Sequence, residues 1–182
     1  TFFLKEGEDA KILFVTDEPF TFYEHFLKGL KRSFTCSQTR DCPLCGVGNK
    51  PSFKGGYLII DTREEEWTDK ESGEKKRRKN TLKVMKHGIR ALQVLDRKNQ
   101  KKGLLNYAWV VTRTGTGNNT QYDFEDEPIP AGVKIPTELP NLVDVLKPKD
   151  REYLIQQLAQ IGHGQPISVN VGDEDEGVIR FN

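Results

Sequence analysis

The sequence lacks the features that define several protein classes. It has no apolar run long enough to cross a membrane and no signal-peptide pattern at its start. It contains no P-loop, no G-x-S-x-G nucleophile motif and no H-E-x-x-H motif. Its acidic residues fall mainly in predicted loops, without an obvious two-metal cluster. We therefore expect no membrane association and no enzymatic activity.

The chain also has little net charge, because 28 basic residues are offset by 27 acidic ones. The two signs are nevertheless separated along the chain. Residues 63–103 hold 14 basic and 7 acidic side chains, whereas residues 123–182 hold 5 and 12. A basic middle part, with the run KKRRK at 75–79, predicts a surface that binds a polyanion. The acidic C-terminal part, residues 123–182, is a candidate contact for other proteins.

Cysteine is scarce, and all three cysteines fall within ten residues. An odd number cannot pair completely as disulfides, and a chain of 182 residues with three cysteines is not a disulfide scaffold. Cys42 and Cys45 form a C-x2-C knuckle, CPLCG, in which Pro43 stiffens the turn and Gly46 lets the backbone curl. Cys36 adds a third thiolate across a short loop. Soft sulfur ligands at this spacing select zinc or, less often, an iron–sulfur cluster.

A closed tetrahedral zinc site needs a fourth ligand, and the histidines are the candidates. His25 lies eleven residues before Cys36, His87 lies 42 residues after Cys45, and His163 sits in a Gly-flanked loop. Proximity favours His25. The set His25, Cys36, Cys42 and Cys45 is closed and rich in thiolate, so it is poor at acidifying water, and we predict a structural zinc ion. Nucleobase deaminases also use Cys and His ligands, but their H-x-E and P-C-x-x-C signature does not fit this sequence.

Hydrophobic periodicity predicts more strand than helix. Residues 9–18, 55–62 and 80–86 read as strands, 106–127 as a β-hairpin with a glycine-rich turn, and 166–182 as a hairpin around an acidic turn. Residues 64–68 are a candidate partner for the strand at 55–62. Helices are predicted at 19–30, opened by Pro19, at 87–100 and at 148–162.

Strands that cluster instead of alternating with helices argue against a doubly wound α/β fold. The predicted fold class is mostly β (α+β). Its form is a five-stranded oligonucleotide-binding (OB) barrel with helical insertions and a zinc-binding subdomain at 20–50. The whole chain, residues 1–182, is expected to form this single domain.

Basic residues interleave with aromatic residues on the predicted strands. Single-stranded nucleic acid exposes both phosphates and base faces, so a protein that binds it without sequence preference needs cations along a groove and rings for stacking. Burial is the alternative role for each ring, and for Trp109 in particular. The predicted nucleic-acid contacts are Tyr57, Trp67, Arg77, Arg78, Lys79, Lys83, Tyr107, Trp109, Arg113 and Tyr122.

These motifs resemble those of the zinc-containing single-stranded-DNA-binding proteins of tailed bacteriophages. The resemblance rests on FYEHF followed by CPLCGVGNKP, on the WVVTRTGTG strand and turn, and on the expected OB barrel, and it is strongest over residues 10–125. It implies a non-catalytic protein that covers exposed single strands during phage DNA replication, recombination and repair. It also implies His25, Cys36, Cys42 and Cys45 as zinc ligands.

The resemblance further implies that an acidic C-terminal part recruits replication or recombination proteins. Free thiols and a zinc motif predict a reducing compartment, which is the cytoplasm, or the host-cell cytoplasm if a phage encodes the chain. Three other interpretations stay open from the sequence. They are a zinc-stabilised module for protein interaction, an RNA-binding adaptor, and an enzyme such as a nuclease that would depend on added divalent metal and a carboxylate cluster.

Overall fold

A computed structural model describes residues 1–162 of the chain, and of Asn118 it describes only the backbone. The hairpin predicted at 166–182 and the candidate ligand His163 lie outside the described residues.

Strands predominate among the described elements. The strands are β1 (Asp9–Phe14), β2 (Phe20–Leu27), β3 (Arg32–Thr35), β4 (Ser52–Asp61), β5 (Glu65–Thr68), β6 (Lys75–Arg78), β7 (Thr81–His87), β8 (Ala108–Thr114) and β9 (Gln121–Glu127). The α-helices are α1 (Pro43–Gly46), α2 (Ile89–Lys102), α3 (Leu142–Val145) and α4 (Arg151–Ala159), and two short 3-10 turns cover Leu104–Asn106 and Gly117–Asn119. The expected mixed α+β fold with mostly sheet is confirmed.

The long strand β4 organises the main sheet, in which every strand pair is antiparallel. Its residues Gly55–Asp61 pair with β7 along one edge. Along the other edge, β2 pairs with Ser52–Gly56 and β1 pairs with Ile59–Asp61. The resulting order is β3-β2-β4-β1-β8-β9, with β7 joined to β4. The sheet therefore branches at β4.

Among the described residues this sheet is open, and it is not the closed five-stranded barrel that the sequence predicted. No ladder joins β7 to β9. The chain segment before β1 contacts β7 and β8, because Phe2 donates its N–H to the Val84 carbonyl and Gly7 donates its N–H to the Arg113 carbonyl. Side chains also connect β7 to β9, because the His87 ring packs edge-on against the Tyr122 ring, with the ring centroids 4.3 Å apart.

Two large hydrophobic cores and one small cluster, formed by Leu13, Ile60 and Ala108, lie on this framework. The larger one joins the N-terminal segment, β1, β4, β8 and β9 to α2, which contributes Leu92 and Leu95. The second joins β2, β3 and α1 to α4, which contributes Leu154 and Leu158, and it includes Cys36 and Cys42. The acidic C-terminal part thus shares a core with the region predicted as the zinc subdomain.

Two local predictions are wrong. Residues 20–27 form strand β2 and not a helix, because their Phe, Thr and Tyr side chains suit a pleated surface and β3 and β4 pair with them on both edges. Residues 65–68 do not pair with β4 but with β6, in a separate two-stranded hairpin. Within residues 1–162, none of the helices combines the length and apolar character needed to span a bilayer.

Candidate metal centre and nucleic-acid groove

The β2–β3 hairpin brings His25 and Cys36 together. His25 pairs with Phe34 across the two strands, and the Cys36 N–H donates to the Tyr23 carbonyl at 2.8 Å. His25 and Cys36 are therefore diagonal neighbours on one face of the hairpin. His25 is fully buried and Cys36 is 3% exposed. The predicted metal ligands from this half of the site are adjacent although ten residues separate them in sequence.

The knuckle supplies the other two sulfur atoms. Cys42 precedes the single turn of α1, which begins at Pro43 and contains Cys45. The Gly46 N–H donates to the Cys42 carbonyl at 3.0 Å, and the chain leaves the knuckle through Gly48, whose φ is 75°. Gly48, not Gly46, takes the left-handed conformation that favours glycine.

Four distances among the ligand atoms match the edges of a zinc tetrahedron. The Cys36 Sγ lies 3.9 Å from Cys42 Sγ and 3.7 Å from Cys45 Sγ, and His25 Nε2 lies 3.6 Å from Sγ of both Cys42 and Cys45. Zn–S bonds of about 2.3 Å and Zn–N bonds of about 2.0 Å give tetrahedral edges of roughly 3.8 Å for S···S and 3.5 Å for S···N. All four ligand atoms lie within 4.8 Å of one another. The predicted clustering of these residues is confirmed.

Asn49 fixes the orientation of the His25 ring. Its Oδ1 lies 3.1 Å from His25 Nδ1, and its Nδ2 donates to the Phe26 carbonyl at 3.2 Å. This arrangement assigns the proton to Nδ1 and leaves the Nε2 lone pair directed at the sulfur atoms. Asn49 is not among the residues predicted from the sequence, where its only signal is an amide side chain just beyond the knuckle.

The thiols differ in their readiness to ionise. Burial opposes ionisation of Cys42, but the N–H groups of Cys45 and Leu44 and the Ser37 side chain lower its pKa to about 6. Burial and the neighbouring thiols raise the pKa of Cys45 to about 12. Burial and repulsion between neighbouring sulfur atoms therefore disfavour three thiolates in the absence of a metal. A divalent cation supplies the charge that would stabilise the three thiolates together.

The structure does not bring the predicted nucleic-acid contacts together on one surface. Tyr57 and Trp109 are at most 1% exposed and lie in the larger core. Their rings have no free face on which a base could stack, which removes them from the candidate interface. Tyr107 is half-buried against the same core, beneath the ammonium group of Lys102.

The basic run lies on the β5–β6 hairpin, where opposing carboxylates pair with it. Arg77 pairs with Glu64 and Glu66, Arg78 with Glu65, and Lys79 with Glu64. Trp67 is 39% exposed beneath the Arg78 guanidinium. Lys83 of β7 is also paired, with Asp61 and Glu65. The positive charge of the run at 75–79 is thus largely cancelled within the folded hairpin.

Arg113 and Tyr122 line a groove that the sequence analysis did not identify as a whole. We name it the aromatic groove. One part has a volume of about 720 Å³ and the other about 470 Å³, and the two parts share Phe3, Lys54, Lys86, His87 and Tyr122. The groove runs from the start of α2, over β7 and the N-terminal segment, to β2 and β3.

Rings and cations are both concentrated in the aromatic groove. Phe3 is 62% exposed and Phe26 is 51% exposed, and Phe53 and Tyr122 are half-buried. Glu24 is the sole carboxylate residue among the described residues that line it, and it pairs with Lys86. The groove therefore carries an excess of positive charge. Its cationic residues are Lys31, Lys54, Lys86, Arg90 and Arg113.

No family model, no curated protein and no solved structure matches the chain.

Proposed function

We propose that the protein binds single-stranded DNA in the aromatic groove, without catalysis and largely without sequence preference. One observation carries the proposal, namely that four exposed or half-buried rings share a groove with five cationic residues and one carboxylate residue. Rings stack on bases for roughly 1–3 kcal/mol each, and cations contact the phosphates between them. The resemblance to zinc-containing phage proteins supports the same function.

The metal centre braces one wall of this groove in the proposal. His25 and Phe26 are consecutive residues of β2, so the ion that holds His25 also positions the exposed ring of Phe26. We assign zinc because three thiolates and one imidazole at tetrahedral spacing are a zinc-type donor set. The branched sheet would serve as an OB-like platform although it is open.

The biological setting is part of the proposal. The protein would cover exposed strands during replication, recombination and repair, in the cytoplasm of a cell or of a phage-infected host. The acidic part at 123–182 would recruit replication or recombination proteins. An RNA-binding or protein-interaction adaptor is the competing function.

The test is a fluorescence-anisotropy titration of the zinc-loaded protein with oligo-dT, oligo-rU and a duplex of the same length. We expect tight binding to oligo-dT that weakens as salt rises, and much weaker binding to the duplex. Equal affinity for duplex and single strand would contradict the proposal. Preference for oligo-rU would support the RNA-binding alternative, and no binding to any of the three would support the protein-interaction alternative.

A further inference from the structure

The first turn of α2 lies open at one end of the aromatic groove. Helix α2 has 14 residues and begins after Gly88, which has no side chain to cap it, and its first turn has no acidic residue. The first N–H groups of a helix have no partner within the helix, and together with the helix dipole they attract anions. Gly88, Ile89, Arg90 and Ala91 all line the groove.

Two further features point to a ligand at this place. Lys54 is half-buried, and among residues 1–162 its ammonium group has no ion pair; a methyl group added at Gly88 would lie 4.0 Å from its Nζ. His87 directly precedes Gly88, lines the same groove and is 5% exposed. Its buried Nε2 has no hydrogen-bond partner in the described part of the chain. A buried polar atom without a partner is costly unless a ligand or a rearrangement satisfies it.

We infer that the start of α2, with Lys54, Arg90 and His87, is a phosphate-binding subsite of the aromatic groove. The N–H groups of Ile89, Arg90 and Ala91 face the phosphate, Lys54 supplies a positive charge beside Gly88, and His87 supplies a ring nitrogen. The identity of the natural ligand, a phosphodiester group of the bound strand, rests on the proposed function. This subsite fixes one phosphate, and the neighbouring rings of Phe53 and Tyr122 are then placed to stack on the adjoining bases.

Gly88 allows a sharp test because its φ of −81° and ψ of 174° suit any residue. In Gly88→Asp, the new carboxylate caps α2 and occupies the place of the phosphate, so the melting temperature rises while anion binding is lost. Gly88→Ala leaves the N–H groups free and is the matched control. Ser33→Asp introduces the same charge in the part of the groove that α2 does not line.

Two measurements are made on the zinc-loaded proteins. Inorganic phosphate is titrated while the amide signals of residues 89–91 are followed by NMR, and oligo-dT affinity is measured at low salt. We expect phosphate to shift these signals in the wild type, Gly88→Ala and Ser33→Asp but not in Gly88→Asp. Oligo-dT affinity should fall at least tenfold in Gly88→Asp, stay within about twofold in Gly88→Ala, and fall less in Ser33→Asp.

The outcomes separate the subsite from the proposed function. If the wild type binds oligo-dT and Gly88→Asp binds it as well as Gly88→Ala does, the subsite is wrong and the proposed function stands. If phosphate shifts the signals of residues 89–91 but oligo-dT does not bind, the subsite holds for a small phosphate ligand and the proposed function fails. If phosphate leaves these signals unchanged in the wild type, the subsite is overturned.

Discussion

The two nitrogen atoms of the His25 ring have different roles, and the hydrogen bond with Asn49 determines which role each one takes. Because Asn49 Oδ1 accepts from Nδ1, the other nitrogen is held in the form that binds a metal. We expect Asn49→Ala to lower zinc affinity by about 10- to 100-fold, as measured by competition with a chromophoric chelator. Asn49→Asp keeps an acceptor oxygen at the same place and should stay much closer to the wild type. Equal zinc affinity in the alanine variant would show that Asn49 does not orient the ring.

His87 makes the stability of the fold depend on pH. Burial, with a smaller contribution from the nearby Lys54 charge, lowers its pKa to about 4 from an ordinary value of 6.5. Between these two values the unfolded chain binds the proton and the folded chain does not, so stability is lost as pH falls through this window. The slope is at most about 1.4 kcal/mol per pH unit.

Urea unfolding of the zinc-loaded protein at pH 7, 6 and 5 measures this dependence. Acid also releases metal from thiolates, so the wild type must be compared with His87→Gln, which lacks the titrating ring but keeps the metal ligands. We expect a flatter pH profile in the variant over this range. Parallel profiles would mean that His87 does not contribute.

At the scale of elements, the cations of the β5–β6 hairpin and those of the aromatic groove are expected to contribute differently to DNA binding. Arg77 and Lys79 face carboxylates across the hairpin, whereas Lys54 and Arg90 line the groove without an ion pair in the described part of the chain. Exposed ion pairs contribute little to stability, so replacing the hairpin cations should be tolerated.

The comparison uses two double variants that remove the same charge. We expect Lys54→Gln with Arg90→Gln to weaken oligo-dT binding by tenfold or more at low salt, and Arg77→Gln with Lys79→Gln to weaken it by less than about threefold. Anisotropy titrations measure both. A larger loss in the hairpin variant would mean that the basic run at 75–79 contacts the strand, as its charge predicts.

The metal centre belongs to the second core, so its effect should be local. Leu154 and Leu158 of α4 pack in the cluster that contains Cys36 and Cys42. Removal of zinc by a chelator should abolish hydrogen-exchange protection in β2, β3 and α4 while much of α2 and β8 stays protected. Exchange measured by mass spectrometry tests this. Equal loss of protection in both cores would mean that the ion stabilises the whole fold at once.

The sequence predicted correctly the elements whose secondary structure follows from the hydrophobic pattern of their own residues. Residues 55–61 are a continuous apolar strand, and residues 89–102 have helical spacing with Gly103 at the end. Residues 20–27 were misassigned because Pro19 resembled a helix start, while one of the two strands that pair with them, β4, is remote in sequence. The clustering of the four candidate ligands was predictable because three of them are local in sequence.

At the scale of the whole molecule, sequence charge could not reveal the groove. The segment 63–103 has the largest excess of cations, but its densest run, at 75–79, forms ion pairs with Glu64, Glu65 and Glu66, and the excess itself comes from residues outside the β5–β6 hairpin. The groove cations come from the turn between β2 and β3 and from β4, β7, α2 and β8, so no short window of the sequence contains them together. Of the predicted contacts, only Arg113 and Tyr122 line the groove. The register of the strands across the sheet determines which residues face the groove, and the sequence does not specify that register.

A protein with a net charge of +1 should bind a polyanion through local charge alone, and salt dependence measures how much of that charge is used. Lys86 is neutralised by Glu24, so four groove cations are available for phosphates, namely Lys31, Lys54, Arg90 and Arg113. For a single strand, the slope of log K against log salt is about −0.7 per phosphate contact, which predicts about −3.

Oligo-dT affinity measured from 50 to 400 mM salt gives this slope directly. In the Lys54→Gln, Arg90→Gln variant two contacts are lost, and the slope should become shallower by about 1.4. The hairpin variant should keep the wild-type slope, because its cations are already neutralised by carboxylates before any strand binds. A wild-type slope much steeper than −3 would mean that the β5–β6 hairpin opens its ion pairs to contact phosphates, and that the groove is only part of the interface.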